Sequence, residues 1–133
     1  GRTIGLATQE KQLARRAVAL AQAAVDEEKQ PYRVHALGLA QFRAGDHQQA
    51  ADTLETSMNM LWGAGQNQAA LALVYSALQE EATAQKWLTA AKNFRQDKID
   101  SSTKGKVNVL AIDWLALNAL IAEAERTVAP IGN

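Results

Sequence analysis

Apolar residues recur along this chain at spacings of three and four, the period of an amphipathic helix. Over 7–28, Leu13, Ala17, Leu20, Ala21, Ala24 and Val25 form one stripe, with Glu10, Lys11, Arg15 and Arg16 largely off it. Pro31 stops that helix and opens the next, since proline is tolerated in a helix's first turn. The pattern then predicts helices over about 31–44 and 46–60, a break at Gly63-Ala64-Gly65, and helices over about 67–78 and 81–95. The polar stretch 96–106 (QDKIDSSTKGK) reads as a mobile loop. A last helix is expected over 107–128, with Val107, Leu110, Trp114, Leu117, Ile121, Ala124 and Val128 as its main stripe. Ile112, Leu115 and Leu120 widen that stripe beyond one face.

The densest local signal is Leu37–Ser57. It predicts two antiparallel helices joined by the turn Ala44-Gly45-Asp46. Gly45 supplies a left-handed conformation at little steric cost, and Asp46 stands where an N-cap would accept backbone N–H groups. Small residues at Gly38, Ala50 and Ser57 let the two backbones approach, while Leu37, Phe42 and Leu54 fill the space beside them. The same pattern returns 34 residues later: Leu37 matches Leu71, Gly38 matches Ala72, Ala50 matches Ala84, Leu54 matches Leu88 and Ser57 matches Ala91. It also looks backward, since Leu20 and Ala23 stand 34 residues before Leu54 and Ser57.

On those residues the stretch from about Leu13 to Leu88 resembles tetratricopeptide repeats. The family's Leu-Gly pair is Leu37-Gly38, its turn glycine is Gly45 and its second-helix alanine is Ala50. Leu71, Tyr75, Ala84 and Ala91 fit the next repeat. The departures are Val34 and Gln68 for the family's early tryptophan, Gln41 for its tyrosine, and Trp62 and Gln96 for its closing proline. The resemblance implies an all-α, right-handed α-α superhelix of about six helices in three hairpins. Its parts would be a partial repeat helix at 7–28, repeats at 31–62 and 65–95, and a terminal capping helix at 107–128. It implies a non-catalytic scaffold that binds a protein or peptide, including a segment of its own parent chain, in a concave groove. By position that groove would hold Tyr32, His35, Leu39, Phe42, Arg43, Gln66, Ala69, Leu73 and Ser76. The lysines and asparagines of the family's carboxylate-clamp subtype are lacking at these places, so chaperone C-terminal tails are not the expected ligand.

Composition narrows the function further. A chain of 133 residues with 47% apolar residues can build one domain with a real core. Fourteen basic residues balance 14 acidic ones, and nothing recommends nucleic acid or an anionic membrane as partner. Without cysteine there is neither a disulfide framework nor a thiolate metal site, which fits a reducing, cytoplasmic-type compartment as well as any. No run approaches the roughly 18–20 apolar residues of a membrane span. The chain begins with Gly1, and it is expected to be part of a larger protein.

Candidate chemistry is thin. His35 and His47 are expected on different helices with no carboxylate cluster to complete a metal site. Glu27-Glu28, Glu80-Glu81 and Glu123/Glu125 read as solvated charge. Ser101, Ser102 and Thr103 have no recognisable base, and no phosphate loop is present. No cofactor or metal is expected, and an enzyme is the least favoured class. Of the three tryptophans, Trp87 is expected in packing, and Trp62 is expected exposed at the end of the third helix. Ile112, Trp114 and Leu115 mark the last helix as a second interface, suited to a partner or to self-association as a homodimer.

Overall fold

A computed structural model describes residues 5–60, 62–103 and 111–130 of the chain. Among these the protein is all-α: α1 (Leu6–Glu27), α2 (Pro31–Arg43), α3 (His47–Met58), α4 (Ala64–Ala77), α5 (Glu81–Thr103) and α6 (Ala111–Thr127). Consecutive helices run antiparallel. Ser57 Oγ donates to Pro31 O, pairing the end of α3 with the start of α2. Arg33 reaches Ala24 O across α1 and α2. Gln66 Nε2 donates to Asp113 O and Ser76 Oγ to Thr127 O, so α6 lies parallel to α4.

The centre of the fold is α4. It touches α2, α3, α5 and α6. Its run Gly65, Gln66, Asn67, Ala69, Ala70, Leu71, Ala72, Leu73 and Val74 is buried. A helix covered on all sides must be apolar on all sides, and ALALV at 70–74 meets that need. One cluster on α4 faces α3: Ala70, Leu71 and Val74 against Ala50, Ala51 and Leu54. The other faces α5 and α6: Ala69, Ala72 and Leu73 against Ala84, Leu88, Ala91, Leu117, Leu120, Ile121, Ala124 and Val128.

The two inter-helix turns match bond for bond at an offset of 34. Asp46 N donates to Gln41 O as Glu80 N does to Tyr75 O, each at 2.9 Å. Gly45 N to Phe42 O is repeated by Gln79 N to Ser76 O, each at 3.0 Å. This is the left-handed helix ending that frees the chain to reverse. Gly45 takes it at φ 90°, and Gln79, a non-glycine, at φ 63°.

Three local expectations are corrected. Asp46 precedes α3 but makes no side-chain cap; its carboxylate is drawn instead to Arg15 Nη1 at 3.0 Å. Gly63-Ala64-Gly65 does not break the chain throughout. Gly63 turns at φ 61°, and Ala64 and Gly65 already belong to α4. A Cβ on Gly65 would stand 2.5 Å from Phe94 and 2.9 Å from Leu117, so this glycine serves close helix contact. The polar stretch from Gln96 to Thr103 is not a loop: α5 continues through it, aided by the i, i+4 bond from Gln96 to Asp100. Residues 104–106 of that expected loop, and 107–110 of the expected last helix, lie outside the described residues.

Candidate functional site

The residues assigned to a groove do not line one open surface. Ala69 and Leu73 have no accessible surface, because α6 lies over them. Gln66 is buried, with its amide on Asp113 O at 3.4 Å. Ser76 is half-buried and donates to Glu81 Oε1 at 3.1 Å, beside the junction where Ala129 N reaches Glu81 Oε2. What stays accessible belongs to α2. Tyr32 is 48% exposed, Leu39 and Phe42 are half-buried against both apolar clusters, and Arg43 is exposed.

Arg43 closes this face on one side. Its guanidinium takes both carboxylate oxygens of Glu123 on α6, at 2.5 and 2.7 Å, and also stands 5.3 Å from the centre of the Phe42 ring. Two parallel charge-assisted bonds fix orientation as well as distance. The hydrogen bonds from Arg43 hold the Glu123 carboxyl below the usual carboxylate range. The other side of the face is an aromatic corner. Trp62 stands edge-on to Tyr32 at 6.4 Å and to His35 at 5.6 Å. It is half-buried rather than exposed, with the Tyr32 and His35 rings against it; Arg33 stands 5.9 Å from the Tyr32 ring.

His35 is not a surface group. It is 7% exposed and hydrogen-bonded through Nδ1 to Asn67 Oδ1 at 2.7 Å. Asn67, wholly buried, donates its amide to Ser57 Oγ at 3.0 Å and to Trp62 O at 3.2 Å. Both amide hydrogens are therefore spent, Oδ1 accepts, and His35 carries its proton on Nδ1. Ser57 passes the chain of bonds on to Pro31 O at 3.2 Å. Burial pushes the His35 imidazole below its ordinary value of 6.5, with the Asn67 bond acting the other way. This network locks α2, α3 and α4 at one end and leaves His35 neutral. Asn67 was invisible as such in the sequence: its counterpart 34 residues earlier is the partly exposed Arg33.

On the last helix, Trp114 packs half-buried into the α4–α5–α6 cluster, while Leu115 is 69% exposed. The side chain of Ile112 lies outside the described residues. Trp87 packs against both clusters. Among the described residues no group of three His, Asp or Glu side chains is placed to hold a metal ion. Tyr75 Oη donates to Glu55 Oε1 at 2.7 Å, which pushes its phenol up to about 12. No helix among the described residues is long and apolar enough to cross a membrane. No protein-family model, curated protein or solved structure matches the chain.

Proposed function

We propose that this chain is a tetratricopeptide-like repeat domain, a non-catalytic scaffold that seats a helix or peptide of a partner protein, or of its own parent chain, on the accessible face of α2 beside α6. The observation that carries this reading is the seat of α6. Leu117, Leu120, Ile121, Ala124 and Val128 bury themselves along α4, and Arg43 clamps the visiting helix through Glu123. A face that accepts one apolar helix this way is suited to a second segment beside it. The free strip runs from Tyr32 and Trp62 to Leu39, Phe42 and Arg43. The mechanism is preorganisation: rigid hairpins hold the contact groups in place, so little receptor entropy is lost on binding. The bond-for-bond match of the two turns supports the repeat reading, which implies right-handed superhelical stacking.

The test is a peptide-display selection against the intact chain, followed by titration of the enriched peptides onto wild type and Tyr32→Ala. Tyr32 is exposed enough to be truncated without disturbing the core. Peptides that bind wild type and lose about tenfold or more on Tyr32→Ala, roughly the 1.4 kcal/mol of one aromatic contact, are expected. Enriched peptides indifferent to Tyr32, or no enrichment, would contradict the assignment.

A further inference from the structure

The 34-residue register presents one helix face twice, in two different states. Gln66 and Leu73 on α4 stand where α2 has Tyr32 and Leu39. Tyr32 is 48% exposed and Leu39 half-buried, whereas Gln66 is buried and Leu73 has no accessible surface. What shuts the α4 copy is α6. Ala69 and Leu73 share its apolar cluster, Gln66 bonds Asp113 O, and Ser76 bonds Thr127 O.

The seat of α6 also departs from the plan of the helices before it. Each earlier helix that opens a hairpin leans on the helix preceding it, α2 on α1 and α4 on α3, while α2 and α4 scarcely meet. α6 does the reverse and lies along α4 far more than along α5. Its outer side is open: Leu115 is 69% exposed and Ala119 is exposed. Its polar ties sit at the perimeter, where water weakens them. They are Arg43 to Glu123, Lys92 to Glu125 at 3.6 Å, and the exposed bonds at Thr127 O and Ala129 N. The apolar row Leu117, Leu120, Ile121, Ala124 and Val128 holds it in place. A groove that grips a helix from one side through such a row, with one charged contact to set its register, is the arrangement that receives amphipathic helices from other chains.

We infer that α6 is a resident occupant of the groove on α4, and that a partner helix of the same pattern displaces it. That partner has apolar residues at the first, fourth, fifth, eighth and twelfth positions, as 117, 120, 121, 124 and 128 do, and a carboxylate at the seventh, where Glu123 meets Arg43. With α6 in place only the α2 strip is accessible. With α6 displaced, Gln66, Ala69 and Leu73 are uncovered beside Leu39 and Phe42. The inference rests on the scaffold reading above, but its contacts lie on α4 and not at Tyr32, so the two tests fail separately.

The experiment titrates the intact chain into a labelled synthetic peptide of residues 111–128 and follows fluorescence anisotropy. Glu123→Arg in the chain sets two guanidinium groups against each other and loosens α6 while leaving its apolar row intact. This variant should bind the peptide about tenfold more tightly than wild type, because the open state is more populated. Tyr32→Ala should leave that affinity unchanged, and a peptide carrying Ile121→Asp should not bind. The chain has no cysteine, so Arg43→Cys with Glu123→Cys can be bridged by a short bis-maleimide. Bridging fixes α6 in its seat and should abolish binding that the unbridged form shows. A peptide that binds no form of the chain, or binds bridged and unbridged forms equally, would overturn the inference. A Glu123→Arg chain that doubles in mass by sedimentation without peptide would make the occupant a second copy's α6 and overturn the assignment to a partner helix.

Discussion

The α2–α3 and α4–α5 hairpins have the same backbone plan and close it with different chemistry. Both reverse through the same hydrogen bonds at an offset of 34. The first hairpin then closes at mid-helix, where Gly38 admits Leu54, and is pinned at its open end by polar groups, Ser57 to Pro31 O and, through Asn67, His35. The second closes at the start of α4, where Gly65 admits Phe94 and Leu117; beside it Gln66 bonds Asp113 O on α6, and Asn67 turns toward the first hairpin. The difference follows from neighbours. Among the described residues the first hairpin packs chiefly on α1 and α4, with Arg43 reaching Glu123 on α6, and a polar network gives it a fixed register. The second is wrapped by α3 and α6, and most of its closure is apolar packing. What repeats in this chain is a turn and a pairing of large against small, not a set of residues.

The comparison can be broken hardest at Gly65. Gly65→Val places carbons inside Phe94 and Leu117, and should destabilise the chain by about 3 kcal/mol in urea denaturation, the upper part of the overpacking range. The first hairpin is more vulnerable to loss of a polar group. Asn67→Leu leaves His35 Nδ1 and Trp62 O without their partner, takes from Ser57 Oγ the bond it accepts, and should cost about 2–3 kcal/mol. Acid should strike the same place. The folded His35 has its pKa lowered below 6.5, so the unfolded chain takes up its proton first as pH falls. Stability present above pH 6.5 should therefore decline as pH drops below that value, with a shallower decline in His35→Gln. Denaturation curves at successive pH values, well above the carboxylate range, measure it.

Smaller effects separate the hairpins more finely. Arg43→Ala removes the clamp that ties α2 to α6, a partly exposed bidentate pair, and should cost about 0.5–1 kcal/mol, visible as weaker hydrogen-exchange protection of α6. Gln79→Gly relieves a side chain in the left-handed region and should raise stability by about 0.5–1 kcal/mol, whereas Gly45→Gln should lower it by a similar amount. Equal signs for the two turn substitutions would show that the turns are not equivalent.

The pattern of apolar spacing was enough to read the helices, their order and the Gly45 turn, because these depend on near neighbours in sequence. It failed where tertiary surroundings decide. Gly65 reads as a breaker by composition, yet its role is set by Phe94 and Leu117, remote in the chain. Gln96–Thr103 reads as a loop because it is polar, but a helix already started at Glu81 extends through polar residues at little cost. Asp46 has the right identity for a cap, and Arg15 on another helix takes its carboxylate instead. Hairpin position alone picks out the groove residues, and it carries no sign that α6 lies over Ala69 and Leu73. His35 falls in the groove by position and reads as an ordinary, partly exposed histidine; its burial and its bond to the buried Asn67 depend on α4, remote in the chain.

The central claim, that each hairpin closes by a large residue entering beside a small one, is tested most directly by a double-mutant cycle at Gly38 and Leu54. In the native background Gly38→Ala should destabilise, because the new Cβ meets Leu54 Cγ at 2.6 Å. With Leu54→Ala those atoms are gone, and the same change should stabilise by roughly 1 kcal/mol, the helix preference for alanine over glycine. A reversal of sign between the two backgrounds supports the account. Equal stabilisation in both would mean that Leu54 does not need the space Gly38 leaves, and the account of closure would be wrong.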